Sequence, residues 1–145
     1  MITKRVNVKE ATPNGYKAMI TLENYLAETK IKPIQREMIK IRASQINGCA
    51  YCIDMHTEDA RALGETEKRI YAISAWRESP LFTDEERALL KATEEITNIS
   101  SRGLTEETYN ELAKYFDGRA IADVIMINIT INSWNRIAVS THLQR

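Results

Sequence analysis

Breakers are scarce in this chain: three prolines and five glycines in 145 residues. They fall mostly between apolar-periodic segments, so helix can run between them. No alternating period-2 run is long enough to read as a strand. Neither sign of charge is in excess, with 20 Lys plus Arg against 20 Asp plus Glu. Without a basic excess there is no footprint to neutralise phosphates, and nucleic acid is not an expected partner. Long apolar runs are missing too. The best of them, near residues 121–131, is interrupted by Asp123 and Asn128 and is too short to span a bilayer. The opening MITKRVNVKE has no apolar core of a signal peptide. The expectation is a soluble, cytoplasmic, single domain over residues 1–145, with no membrane partner. Cysteine is nearly absent, with two in the whole chain. In a reducing compartment such a pair is catalytic or metal-binding more often than a structural staple.

What is present is a succession of helical patterns, and the fold class expected is all-α. A first helix is predicted over residues 14–29, with Tyr16, Met19, Ile20, Leu22 and Leu26 as its apolar contacts. Pro33 stands near the first turn of a second, over 34–46, which Asn47-Gly48 ends. A third begins at Cys49 and stops at Gly64. A fourth covers 65–78, with Ile70, Ile73, Ala75 and Trp76 buried. Thr83-Asp84-Glu85-Glu86 has the form of a capping box and opens a helix to about residue 99. Thr105 opens another toward Phe116. The last segment, 117–141, is apolar nearly all round, reads as buried or as a subunit interface, and is expected to break once near Ser133.

The chemistry concentrates in NGCAYCIDMH, residues 47–56, which holds both cysteines and one of the two histidines. Cys49, Cys52 and His56 are spaced i, i+3, i+7. At roughly 100° per residue they fall within about 60° of one another on one helix face. The helix start puts the thiols beside unpaired N–H groups and the positive end of the dipole, which lower a thiol pKa. Haem attachment needs histidine directly after the second cysteine, where Ile53 stands. Structural zinc needs four ligands; Cys49, Cys52 and His56 give three, with Glu37 or water left to complete the set. Two cysteines that merely pack are a further alternative. Thiol redox chemistry fits the cluster best, although no βαβ pattern surrounds it as in a thioredoxin. If the Asn47-Gly48 turn folds the second and third helices into an antiparallel hairpin, Glu37 lies about level with His56. A carboxylate, an imidazole and a thiol then form a proton relay. Without that cluster, Glu37 reads as a charge paired with Lys40 or Lys30.

Glu37, Cys49, Cys52 and His56 match the E-x11-C-x2-C-x3-H signature, and the chain resembles the AhpD-like alkylhydroperoxidases of the carboxymuconolactone decarboxylase superfamily. RASQINGCAYCIDMHTEDAR looks typical, as do YKAMITLENYL, IYAISAWRESPLFTDEERALL and SWNRIAVSTHL. The resemblance covers nearly the whole chain. It implies an all-α fold and a homotrimer or homohexamer. It implies reduction of organic hydroperoxides without haem, flavin or metal. Cys52 would be the peroxidatic thiol and Cys49 the resolving one, with His56 and Glu37 relaying protons. A dithiol donor, in some relatives a lipoylated protein, would restore the pair. Some members carry a histidine between the cysteines; Ala50 and Tyr51 stand there in this chain. The alternative is a thiol–disulfide adaptor or sensor with little peroxidase activity.

Outside the cluster, His142 reads as a surface or interface residue. Trp76 and Trp134 read as core or interface anchors, either of which could wall the thiol pocket. Met19, Met38, Met55 and Met126 read as packing. Asn128 and Asn132, one turn apart on an apolar helix, need partners if buried, and a subunit interface is the expected source.

Overall fold

The computed structural model describes residues 3–145. A one-turn helix α1 (Val8–Ala11), capped by the Asn7 side chain, leads into α2 (Pro13–Tyr25), where proline occupies the first helical position. The predicted first helix therefore ends early: Leu26–Glu28 tightens to a 3₁₀ turn. Helix α3 (Pro33–Ile46) follows, again with proline at its start, where a missing N–H costs nothing. Gly48, at φ 66°, reverses the chain in the left-handed region. Helix α4 (Ala50–Ala62) begins at once, with Cys49 as its N-cap.

The segment predicted as one helix over 65–78 is two pieces. Helix α5 (Glu67–Ala72) gives way to a 3₁₀ stretch, Ile73–Glu78, whose Ala75 leaves helical geometry at φ −125° and ψ 32°. Ala75 is consequently exposed, while Ile70, Ile73 and Trp76 are buried as expected. Helix α6 (Asp84–Thr97) starts at the anticipated capping box and ends two residues before the predicted limit. Helix α7 (Ile99–Arg102) is a single turn; α8 (Glu106–Ala113) is capped by Thr105. Helix α9 (Gly118–Thr141) runs for 24 residues without the break expected near Ser133. Its polar side chains return hydrogen bonds to the helix's own carbonyls, Ser133 to Ile129 at 2.8 Å and Thr130 to Met126 at 2.8 Å. Polar residues in it therefore do not force a kink.

Among the described residues there is no strand, and no helix is long and apolar enough to cross a membrane. Helix α3 is the hub, packed against α4, α6 and α9. Ile39 and Ile41 of α3, Leu89 and Leu90 of α6, Leu112 of α8 and Val124 and Ile127 of α9 are fully buried in one apolar cluster. The side-chain amides of Asn128 and Asn132 find acceptors inside the chain. Asn128 Nδ2 donates to the Val124 carbonyl, and Asn132 Nδ2 to Thr97 Oγ1. The buried Oδ1 of Asn128 has no partner among the described residues.

Candidate functional site

Two adjacent helices of one hairpin supply the site. On α3, Glu37, Lys40 and Ser44 follow i, i+3, i+7 and share a face; on α4, Cys52, His56 and Asp59 follow i, i+4, i+7 and share one too. The tight Asn47-Gly48 turn makes these faces meet. That turn is itself clamped to α9. Asn47 Nδ2 donates to both Asn132 Oδ1 and Asn135 Oδ1 at 2.9 Å, and Asn135 Nδ2 donates to Ser44 Oγ at 3.0 Å. Asn47, two residues before Cys49, thus has little freedom.

Cys49 and Cys52 are joined in a disulfide. The bonded sulfurs stand for the oxidised product of a dithiol, and in this state neither can ligate zinc, so the Cys49, Cys52 and His56 ligand set is not assembled. Both residues are buried, at 1% and 2% exposure. Cys49 Sγ also caps α4 by accepting the Cys52 N–H at 3.2 Å. The second cysteine therefore sits in the first turn of the helix, where N–H groups and the dipole favour negative charge.

Glu37 and His56 meet directly, Oε2 to Nδ1 at 2.8 Å, and both are buried. This bond occupies Nδ1, so Nε2 is the ring nitrogen free to exchange a proton with a group in the cavity. The other carboxylate oxygen faces Lys40 Nζ at 3.5 Å. Burial pushes the Glu37 carboxyl up, but the His56 hydrogen bond and the Lys40 charge more than offset it and hold Glu37 below the ordinary carboxylate range. A buried ionised carboxylate beside an imidazole fixes the ring's orientation and stabilises the imidazolium when it forms. Asp59 Oδ2 is 3.8 Å from the same Nδ1, but Asp59 is 55% exposed on its side chain, and its field is screened by solvent. Glu37, His56 and Asp59 bring candidate metal-ligand atoms within 4.8 Å of one another.

Three contributors were not legible from the sequence. Lys40 is only 6% exposed and is shared by two carboxylates, Glu37 and Glu23, the latter at 3.1 Å. Glu23 in turn accepts the Trp134 indole N–H at 3.0 Å. Lys40 was visible only as a surface partner for Glu37, and Glu23 lies on a different helix with no spacing to mark it. Asn47 carried no signal beyond ending a helix.

A cavity of about 430 Å³ opens over the pair. Cys52, His56, Glu37 and Lys40 line it from the hairpin, Tyr16, Ile20 and Glu23 from α2, and Trp134, Ile137 and Ala138 from α9. Tyr51, between the cysteines, is on its wall, and so is Met55. Of the two tryptophans only Trp134 reaches it; Trp76 is buried elsewhere, its indole N–H donated to Glu94 at 3.2 Å. Cys49 does not line this cavity. It lines a smaller cleft of about 220 Å³ beside His142 and Leu143, while His142 Nδ1 is held by the Thr3 carbonyl at 3.0 Å.

Comparison with known proteins gives this arrangement relatives. A profile of the Carboxymuconolactone decarboxylase family matches residues 13–95. The uncharacterized protein YdfG of Bacillus subtilis (strain 168) is 45% identical over 139 residues, 96% of this chain and 95% of the relative. The crystal structure of a protein of unknown function from Agrobacterium tumefaciens, whose name points to antioxidant defence of the AhpD kind, superposes with a TM-score of 0.95. It is 38% identical, covering 99% of this chain and 98% of its own. The debrominase Bmp8 has the same fold at 23% identity, with a TM-score of 0.82 over 93% of this chain and 73% of its own. One fold thus hosts different chemistries, and function has to be argued from the site.

Proposed function

The chain is an AhpD-like member of the carboxymuconolactone decarboxylase family, and from that premise we propose that it is a thiol-dependent reductase of organic hydroperoxides. One observation carries the reading: Cys52 of a closable cysteine pair shares a largely apolar cavity with a buried, hydrogen-bonded Glu37–His56 pair. Haem, flavin and metal have no part in the proposed cycle.

In the reduced state Cys52 attacks the terminal oxygen of the peroxide as a thiolate. The O–O bond breaks, the sulfur becomes a sulfenic acid and the alkoxide leaves. His56 delivers the proton that makes it an alcohol, with Glu37 holding the imidazolium. The Cys49 thiol then attacks the Cys52 sulfur, the disulfide forms and water departs. A dithiol donor, of the lipoylated kind or a free small molecule, returns two electrons and two protons by exchange. A cytoplasmic setting and a homotrimer or homohexamer belong to the same proposal.

The test is a single turnover. Fully reduced protein, freed of reductant, receives one equivalent of cumene hydroperoxide while thiols and peroxide are followed together. Two thiols should vanish per peroxide, faster than in a free dithiol. Cys52→Ser should abolish the reaction, and Glu37→Gln and His56→Gln should slow it by roughly 10²- to 10⁴-fold, the usual worth of general acid–base catalysis. A Cys52→Ser protein with full peroxidase activity would sink the assignment. A second reading, a thiol–disulfide adaptor, is favoured by Ala50 and Tyr51 standing where some relatives have a histidine. It predicts that peroxide persists while a dithiol exchanges readily with the pair.

A further inference from the structure

The disulfide has two faces, and they differ in chemistry. Cys52 lines the large cavity with Glu23, Glu37 and Asp59, three carboxylates against one lysine and one histidine. Cys49 lines the smaller cleft with Gly48, Ala50, Val139, His142 and Gln144, and no carboxylate is on that wall. Neither cysteine lines both spaces, and Tyr51, Ala138 and Leu143 form the wall the two share. We propose that the Cys49 cleft is a separate port for the reducing thiol, so that peroxide and reductant reach the pair from opposite sides.

The argument begins with the direction of thiol–disulfide exchange. A thiolate displaces a sulfur along the S–S axis, entering on the side away from the leaving group. To expel Cys52, it has to come to Cys49 from the Cys49 side, where the cleft lies. With Lys40 as its one lysine against three carboxylates, the wall of the large cavity is net acidic, which opposes an entering anion but not a neutral hydroperoxide. The cleft's size selects further. About 220 Å³ is below the roughly 300 to 1,000 Å³ of drug-sized sites, so it suits a slim aliphatic arm bearing a dithiol. Ala50, Ala138 and Val139 give such an arm an apolar wall.

The steps balance. The donor thiolate attacks Cys49 Sγ, the Cys49–Cys52 bond breaks, and a mixed disulfide forms on Cys49. Cys52 leaves with the electron pair as a thiolate, beside His56, in the form that the peroxide step uses. The donor's second thiolate then attacks its own bonded sulfur, closing the donor disulfide and releasing Cys49 as a thiolate. The donor's two protons end on the protein or in water. Two electrons pass from the donor to the pair.

This inference rests on the reading of the pair as redox-active, and its test keeps the two half-reactions apart. The whole chain, oxidised with diamide, is mixed with dithiothreitol and its thiols are counted over time. Separately, the reduced chain is mixed with cumene hydroperoxide. Ala50→Trp and Val139→Trp, both at exposed positions in the cleft, should slow reduction tenfold or more and leave the peroxide step within twofold. Ile20→Trp, on the large cavity only, should do the reverse. Should a tryptophan variant fail to fold, wild-type protein still answers: acid quench and fragment mass spectrometry of the adduct with 2-mercaptoethanol should place it on Cys49. An adduct on Cys52, or unchanged reduction in both cleft variants, overturns the port. Subunit dissociation with wild-type reduction in those variants also overturns it, and makes the cleft a contact between copies. If wild type ignores peroxide yet the cleft variants still block reduction, the port stands and the peroxidase reading falls.

Discussion

Glu37 shows how one residue carries two roles. One oxygen orients His56 and the other faces Lys40, so the carboxylate is ionised although buried. Its pKa lies below the ordinary 4.5, because the His56 bond and Lys40 charge outweigh desolvation. The folded state therefore binds this proton more weakly than the unfolded chain. The stability that results is fully present above the unfolded value and is lost as pH falls through the folded one. Melting wild type and Glu37→Gln from pH 7 down to about pH 3 should show a gap that is constant above about pH 5 and closes in acid. In Lys40→Met the carboxylate loses its neighbouring cation, so the gap should be smaller and its closure should be complete at a higher pH. The Glu37–His56 contact was legible in the sequence, since helix rise and a two-residue turn set the two at similar heights. The Glu23–Lys40–Trp134 chain was not, because it joins three helices that no spacing relates.

Among the helices, boundaries set by local contacts are legible in the sequence and those set by distant contacts are not. The box at α6 is entirely local: Thr83 Oγ1 accepts the Glu86 N–H at 3.2 Å, and Glu86 Oε2 accepts the Thr83 N–H at 2.9 Å. Thr83→Ala should cost about 1 kcal/mol and lower the melting midpoint by about 4 °C for a chain of this size, read by circular dichroism. The 3₁₀ stretch Ile73–Glu78 has no comparable local cause. The Arg87 guanidinium on α6 donates to the carbonyls of Trp76, Arg77 and Ser79, which turns that backbone end away from a regular helix. The Trp76 indole and the Arg77 guanidinium both go to Glu94, also on α6. Partners 8 to 18 residues away along the chain decide a geometry that periodicity alone reads as one helix. Helix α9 errs the other way: Asn128, Asn132 and Ser133 look like interruptions, yet each donates to a carbonyl one turn back.

For the molecule as a whole, the question is what the disulfide does for the fold. The apolar cluster spans α3, α4, α5, α6, α8 and α9, whereas the cysteines belong to a small separate cluster with Ala138. The bond links residues only three apart in sequence. Chain-entropy arithmetic for so short a loop gives about 2 kcal/mol, against several for a link across a long one. A domain with a substantial core of its own does not depend on that amount. Part of it is recovered on reduction, because a thiolate at the helix start is stabilised by the N–H groups there. Reduced protein should therefore keep its helical signal and melt no more than about 8 °C below the oxidised form. Matched melts with and without tris(2-carboxyethyl)phosphine check this. A reduced form that is unfolded would make the pair a structural staple and remove the physical basis for cycling. A fold that stays intact in both states can open and close the bond many times without losing the Glu37–His56 geometry on which turnover rests.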